Sequence, residues 1–342
     1  MKMENRENPE QEQSRISFEE ELKNRFPEFE EKKIKNNYLL HIGLFFLTFI
    51  TTTMGGVYWG GSDPYEITNF TRGLTYSILI LFIISAHEFG HYFAAKLHKV
   101  DVTLPYYIPF PFLFLNPFGT MGAVIRMRSR ASTRKALFDI GVAGPIAGWI
   151  ASVIILIIGF TTLPSIEFLF KIHPEYAMNG VLVQGETFGY SILFWSFEKL
   201  FASSSGFMPP MNEVYHYPFL CAGWFGLLIT ALNMVPAGQL DGGHISYTMF
   251  GSKNSSVVGH IVVGILFVMG LLGLLPLLDI NLNIGSLNWI VWALLITFAI
   301  KIKHPPTVDD DPEPLSKTRM AIGWFTFIIL IISFAPVPIY IM

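Results

Sequence analysis

The 342-residue chain is 51% hydrophobic and only 14% charged, whereas about a quarter of an ordinary soluble domain is charged. That balance excludes an ordinary soluble domain and points to a membrane protein. A net charge of -3 gives no basic footprint for nucleic acid, and a single cysteine, Cys221, excludes an intrachain disulfide or a multi-cysteine metal cage and reads as a small packing residue.

Residues 1–37 mix acidic and basic side chains around sparse Phe and Leu, as in "FEEELKNRFPEFEEKK", and read as a solvated cytosolic tail. The tail is too charged for a cleavable signal, so the first span is expected to stay as an anchor. Apolar runs near the length of about 20 residues that crosses a bilayer occur at 38–59, 74–97, 136–162, 217–236, 256–278, 286–302 and 320–342. With the N-terminus cytosolic, seven crossings leave only Arg72, Lys171 and Lys199 of the 23 Lys and Arg outside, as the positive-inside rule requires. The expected fold is therefore an all-α polytopic membrane protein of about seven transmembrane helices.

Residues 60–73 read as a short outside loop. The second span carries "SAHEFGHYFAA", in which His87 and His91 are four residues apart and face one side of a helix. That spacing suits two imidazole ligands for one metal ion, with Glu88 placed to act as a general base. An ionised group at membrane depth costs at least about 2.5 kcal/mol, and Glu88 is the only carboxylate well inside any of the seven runs. Three such groups together therefore need partners or a chemical purpose.

Residues 98–135 hold "LPYYIPFPFLFLNPFGTMGAVI", which is too apolar for a water-exposed loop and too rich in proline for a regular helix. A re-entrant, partly extended loop is expected over about 104–125, pinned to the cytosolic surface by Arg126, Arg128, Arg130, Arg134 and Lys135. "AGPIAG", 143–148, opens the third span with small residues that let helices approach closely. The insert at about 163–216 lies outside and is small for a further folded recognition domain. After the fourth span, "NMVPAGQLDGGHI" breaks the helix at Pro236 and Gly238 and turns the chain back toward the bilayer. Catalytic zinc usually takes three protein ligands, and Asp241 in this turn supplies the third. The core thus runs over 38–303, followed by a Pro-rich acidic linker at 304–319 and a final span at 320–342.

At these residues the chain resembles the site-2 protease family of intramembrane zinc metalloproteases. The matching stretches are "HEFGH", "GTMGAV" at 119–124, and the pattern formed by Asn233, Pro236, Leu240, Asp241 and Gly242. "HPPT" at 304–307 and "FAPVPI" at 334–339 resemble tails of bacterial members, and some features are similar to the chloroplast branch. The resemblance covers most of the chain from the second span onward. It implies one zinc per chain, held by His87, His91 and Asp241, with Glu88 as general base and Asn233 donating a hydrogen bond to the tetrahedral intermediate. It also implies transmembrane protein substrates in the bilayer and a bacterial cytoplasmic membrane; the charge and span count place the N-terminus and the site toward the cytosol. Gly119, Thr120, Met121, Gly122, Ala123 and Val124 would form an edge that pairs with an unwound substrate strand; equally, the glycines could simply permit a turn. The chain reads as a bacterial-type member with no evident PDZ or CBS domain.

Two other uses of the same histidines stay open: a membrane metal-dependent oxidoreductase and a metal-binding transporter. His244 is expected to hydrogen-bond near the site, His98 to lie in the headgroup layer, and His41 and His260 to be interfacial. "EVYH", 213–216, matches the Glu-x-x-His element of di-iron bundles but lacks the bridging carboxylates such a site needs, and it lies on the outside boundary.

Overall fold

The computed structural model describes residues 37–129, 133–182, 184–205, 207–278, 280, 284–305 and 313–341. The tail 1–36, Arg130 of the basic stretch and 306–312 of the linker lie outside the described residues.

Helix α1 spans Tyr38–Trp59, with the Asn37 side chain accepting from the Leu40 amide at its start. A 3₁₀ stretch, Ile67–Gly73, leads into α2, Leu74–Leu97, which carries the His-Glu-His stretch. Helix α3, Arg134–Thr161, is capped by the Thr133 hydroxyl and contains Pro145. Two short helices, α4 at Glu167–Ile172 and α5 at Tyr176–Asn179, precede strand β3, Glu186–Phe188, and helix α6, Ile192–Ser205. Helix α7, Pro218–Asn233, is buried at every residue from Leu220 to Leu228. It is apolar all round, which suits a helix at the centre of the bundle.

Helix α8, Asp241–Leu272, changes direction at Gly251, whose φ of 79° and ψ of 169° are open only to glycine. Asp241–Phe250 is therefore a separate segment from the long apolar one that follows. Helix α9, Asn288–Leu295, continues as a π-helical turn over Ile296–Ile300, and α10 spans Lys317–Ser333. Arg319 on α10 holds the Asp139 carboxylate through Nε at 2.8 Å and Nη2 at 2.7 Å, and His98 Nε2 lies 2.9 Å from the same carboxylate. These contacts tie the ends of three helices together.

Four helical segments among the described residues are long and apolar enough to cross a membrane: 38–59, 67–97, 134–161 and 241–278. The other apolar segments are shorter, with α7 at 16 residues and α10 at 17. At 1.5 Å per residue α7 covers about 24 Å. The run at 320–342, expected to be one helix, ends at Ser333, because Pro336 and Pro338 cannot donate amides to a helical ladder. The chain then forms strand β4, Ile339–Ile341, antiparallel to β3 of the insert. The Gly189 amide next to β3 donates to the Pro338 carbonyl at 2.8 Å, and Trp289 Nε1 donates to Pro336 at 2.6 Å.

The extended loop is a hairpin. Strand β1, Tyr106–Pro109, pairs antiparallel with β2, Thr120–Val124, with an irregularity between Tyr107 and Pro109. It lies against α1 and α2: His41 Nδ1 donates to the Pro105 carbonyl at 3.0 Å, and the Ser85 and Tyr107 hydroxyls are 2.7 Å apart. His41 is thus buried against the hairpin. His260 is exposed and Cys221 is fully buried in the core.

Candidate metal centre

His87 and His91 project from one face of α2, and Asp241 comes to them from the first turn of α8. The backbone at 234–240 makes this meeting possible. It turns sharply after α7, braced by the Gly238 amide donating to the Ile302 carbonyl at 2.9 Å. A Cβ on Gly242 would sit 1.9 Å from the Met234 carbonyl oxygen, so the "DGG" that follows Leu240 must be small at that position.

The three facing atoms form a near-equilateral triangle. His87 Nε2 and His91 Nε2 are 3.1 Å apart, and Asp241 Oδ2 lies 3.2 Å from the first and 3.3 Å from the second. Ligands at bond lengths of about 2.0–2.1 Å in a tetrahedral zinc site are about 3.3 Å from one another, so the donor set and its spacing fit zinc. His91 Nδ1 donates to the Ile140 carbonyl at 2.7 Å, which fixes the tautomer whose Nε2 lone pair points into the triangle. His87 Nδ1 is buried with no hydrogen-bond partner among the described residues.

Space for these rings comes from α3. Gly144 faces His91 and Gly148 faces His87: an added Cβ would lie 2.1 Å from His91 Nε2 in the first case and 3.1 Å from His87 Nδ1 in the second. The small residues of "AGPIAG" therefore serve the ligands themselves as well as helix approach. Their i, i+4 spacing, matching that of the two histidines, is the sequence signal that could have found them.

Glu88, buried beside the triangle, faces the backbone N–H of Ile125 just past β2. A cavity of about 760 Å³ opens here, lined by the metal-facing side chains, Asn233, His244 and the 123–127 backbone segment. The Asn233 side-chain nitrogen is 3.5 Å from His87 Nε2. Among the described residues the sheet has two strands, and no described strand pairs with the second edge of β2. Arg126 is held on the β1 side, its carbonyl accepting from the Thr103 amide and its amide donating to the Thr103 hydroxyl. By strand alternation, Ala123 and Ile125 direct their amides to the opposite, cavity-facing edge.

The expected edge residues divide. Ala123 and Val124 line the cavity, and Met121 is exposed. Thr120 is buried and donates to the Ile108 carbonyl at 2.8 Å. Gly119, at φ 75°, packs its backbone on α1, where a Cβ would meet the Thr51 carbonyl oxygen at 2.2 Å, so its role is structural. His244 Nδ1 lies 2.6 Å from His304 Nε2, and the His304 ring stacks on Tyr247. This pairing brings the start of the 304–319 linker beside the site, a contact that no local pattern in the sequence indicated. A second cavity of about 750 Å³, lined by Ile192, Trp195, Val262 and Leu266 among others, contains none of the metal-facing side chains.

Residues 75–277, more than half of the chain, match the family model for peptidase family M50. The chain belongs to that family, the site-2 proteases. M50 relatives include the probable zinc metalloprotease EGY2, chloroplastic, of Oryza sativa subsp. indica, 28% identical over 232 residues, which covers 68% of this chain and 37% of the relative. The probable zinc metalloprotease EGY1, chloroplastic, of Arabidopsis thaliana is 27% identical over 273 residues, 80% of this chain and 44% of the relative. The probable zinc metalloprotease EGY3, chloroplastic, of the same rice is 25% identical over 263 residues, 75% and 41% respectively. This M50 chain thus spans about two fifths of the length of the curated relatives it matches. No solved structure matches it. Membership of M50, together with the apolar helices, makes it an integral membrane protein.

Proposed function

We propose that the chain is a zinc metalloendopeptidase that hydrolyses a peptide bond in or near a transmembrane segment of membrane-protein substrates. The observation that carries this reading is the triangle of His87, His91 and Asp241 with Glu88 beside it, opening on the second edge of β2. One zinc, which His87, His91 and Asp241 would hold, would supply Lewis acidity toward water and toward the scissile carbonyl.

The residues supply the rest. Glu88 takes a proton from the attacking water and returns it to the amide nitrogen, so that water adds across the C–N bond and leaves a carboxylic acid and an amine. Ile140 and the Gly144 and Gly148 spaces hold the imidazoles in position. Asn233 donates to the carbonyl oxygen as charge builds there. A substrate helix hides its amides in its own hydrogen bonds, and the second edge of β2 offers the Ala123 amide to an unwound strand. Unwinding before cleavage suits a role in regulated proteolysis.

We place seven apolar helical segments in the bilayer, the shorter ones accommodated by the bundle, with the N-terminus and the metal end cytosolic in a bacterial cytoplasmic membrane. The charge distribution carries this orientation. An iron oxidoreductase of the di-iron kind would need further carboxylates around His87 and His91, and among the described residues only Asp241 joins them as a potential ligand. The test is cleavage of a model transmembrane substrate by purified protein with metal analysis. Chelation should abolish cleavage and zinc should restore it, and Asp241→Asn should lose both the zinc of this centre and cleavage. Chelator-resistant cleavage, or two irons and no zinc, would overturn the assignment.

A further inference from the structure

A second group of ligand-type side chains lies far from the first. His173, which follows α4, meets Glu213 and His216 of the turn that leads into α7. His216 packs beside Gly61 after α1, the end of the bundle where α2 begins. From Leu74 to His87 along α2 is about 20 Å at the helical rise, so this group occupies the end of the bundle opposite the metal centre.

Its geometry resembles that of the first site. His173 Nε2 and His216 Nε2 are 3.2 Å apart, and Glu213 Oε2 lies 3.6 Å from one and 3.5 Å from the other. Glu213 is 1% exposed. Its Oε1 accepts from the Tyr176 hydroxyl at 2.9 Å and from the Asn212 side-chain amide at 3.0 Å. Its Oε2 is buried with no hydrogen-bond partner among the described residues and aims at the two imidazoles. A buried carboxylate oxygen left without a donor is costly unless a cation meets it. His173 Nδ1 stands 3.3 Å from the Glu175 carboxylate, an orienting contact that turns its Nε2 lone pair inward, as Ile140 does for His91.

We propose that His173, Glu213 and His216 form a second site for a divalent transition-metal cation of the zinc class, which staples the insert to the start of α7. Two imidazoles and one carboxylate are the donor set of zinc-type ions rather than of calcium or magnesium. The partly exposed His173 side leaves a fourth position open to solvent. The site joins residues 43 apart in the chain, closing a loop that contains α5, β3 and α6.

The experiment uses the full-length chain carrying His87→Ala and His91→Ala, so that the first centre cannot contribute. Equilibrium dialysis against micromolar zinc should give one ion per chain, and cobalt should give the visible absorption of a low-coordinate N,O site. His173→Ala, at a partly exposed position that tolerates truncation, or Glu213→Gln in the same background should bring binding to zero. Zinc should also protect the bond after Lys171 from trypsin, and His173→Ala should remove the protection. The wild-type chain, should the double variant fail to fold, should bind two ions, falling to one with His173→Ala. No ion in the double variant, one ion in the wild type, or an ion that survives His173→Ala would each overturn the proposal. None of these readouts depends on the chain's own peptidase activity.

Discussion

Gly144→Ala puts a single methyl group where His91 must stand. The added Cβ would lie 2.1 Å from His91 Nε2, 2.3 Å from Cδ2 and 2.5 Å from Cε1, whereas non-bonded heavy atoms rest at about 3.5–4.0 Å. Either the imidazole or helix α3 has to move by more than about 1 Å. Moving helix α3 away would open the close α2–α3 packing at Gly90, where a Cβ would meet the Ala143 carbonyl oxygen at 2.5 Å. Overpacking of this kind costs roughly 1–3 kcal/mol, which a folded bundle can survive. Metal bonds are held to about 0.2 Å, so the ligand cannot survive the same shift. We expect a folded protein that loses zinc at this centre and at least about 10²-fold in cleavage, the scale of a 1 Å misplacement at a reacting centre. Gly264→Ala, where nothing lies within 4 Å of the added Cβ, is the control and should be silent. Metal content and cleavage at the wild-type level in Gly144→Ala would refute the packing argument.

Three further substitutions separate other parts of the site. Asn233→Ala should retain zinc and lower kcat by about 10²–10³, the scale of one lost oxyanion donor, read by steady-state kinetics beside metal analysis. Ala123→Pro removes an amide from the cavity-facing edge of β2 and should reduce cleavage of a transmembrane substrate with zinc unchanged; full activity would show that this edge does not pair with substrate. Arg319→Ala breaks the paired hydrogen bonds to Asp139 and should destabilise the α10 contact by about 1 kcal/mol, discounted for partial exposure, read as a lower thermal midpoint with zinc retained.

Much of the centre was legible because its residues are out of place in their surroundings. Two histidines and a glutamate at helical spacing in an apolar run need a purpose, and a proline and glycine break just before Asp241 shows where the chain can return. Gly144 and Gly148 read as permission for close approach; their spacing matches that of the histidines, but a glycine names the group it makes room for once the neighbouring helix is in place. The hairpin followed from its prolines, but the structural part played by Gly119 depends on its contact with Thr51 of α1. The end of the last helix at Ser333 was signalled by Pro336 and Pro338, yet hydropathy alone extends the run to residue 342. The pairing of β4 with β3 joins segments with no shared pattern. The same holds for His173 with the 213–216 turn, where sequence spacing shows one Glu-x-x-His and not the histidine that the fold brings to it.

The central claim is that the chain hydrolyses peptide bonds with Glu88 as the base at a zinc held by His87, His91 and Asp241. Its most direct test is a parallel measurement of bound zinc and of cleavage of a membrane-embedded substrate in the wild type and Glu88→Gln. The account predicts equal zinc at the His87, His91 and Asp241 centre, cleavage within or beside the transmembrane segment by the wild type, and none by the variant. Cleavage by Glu88→Gln at the wild-type rate, or no cleavage by zinc-loaded wild type of any transmembrane substrate in a proteome-wide comparison, would contradict it.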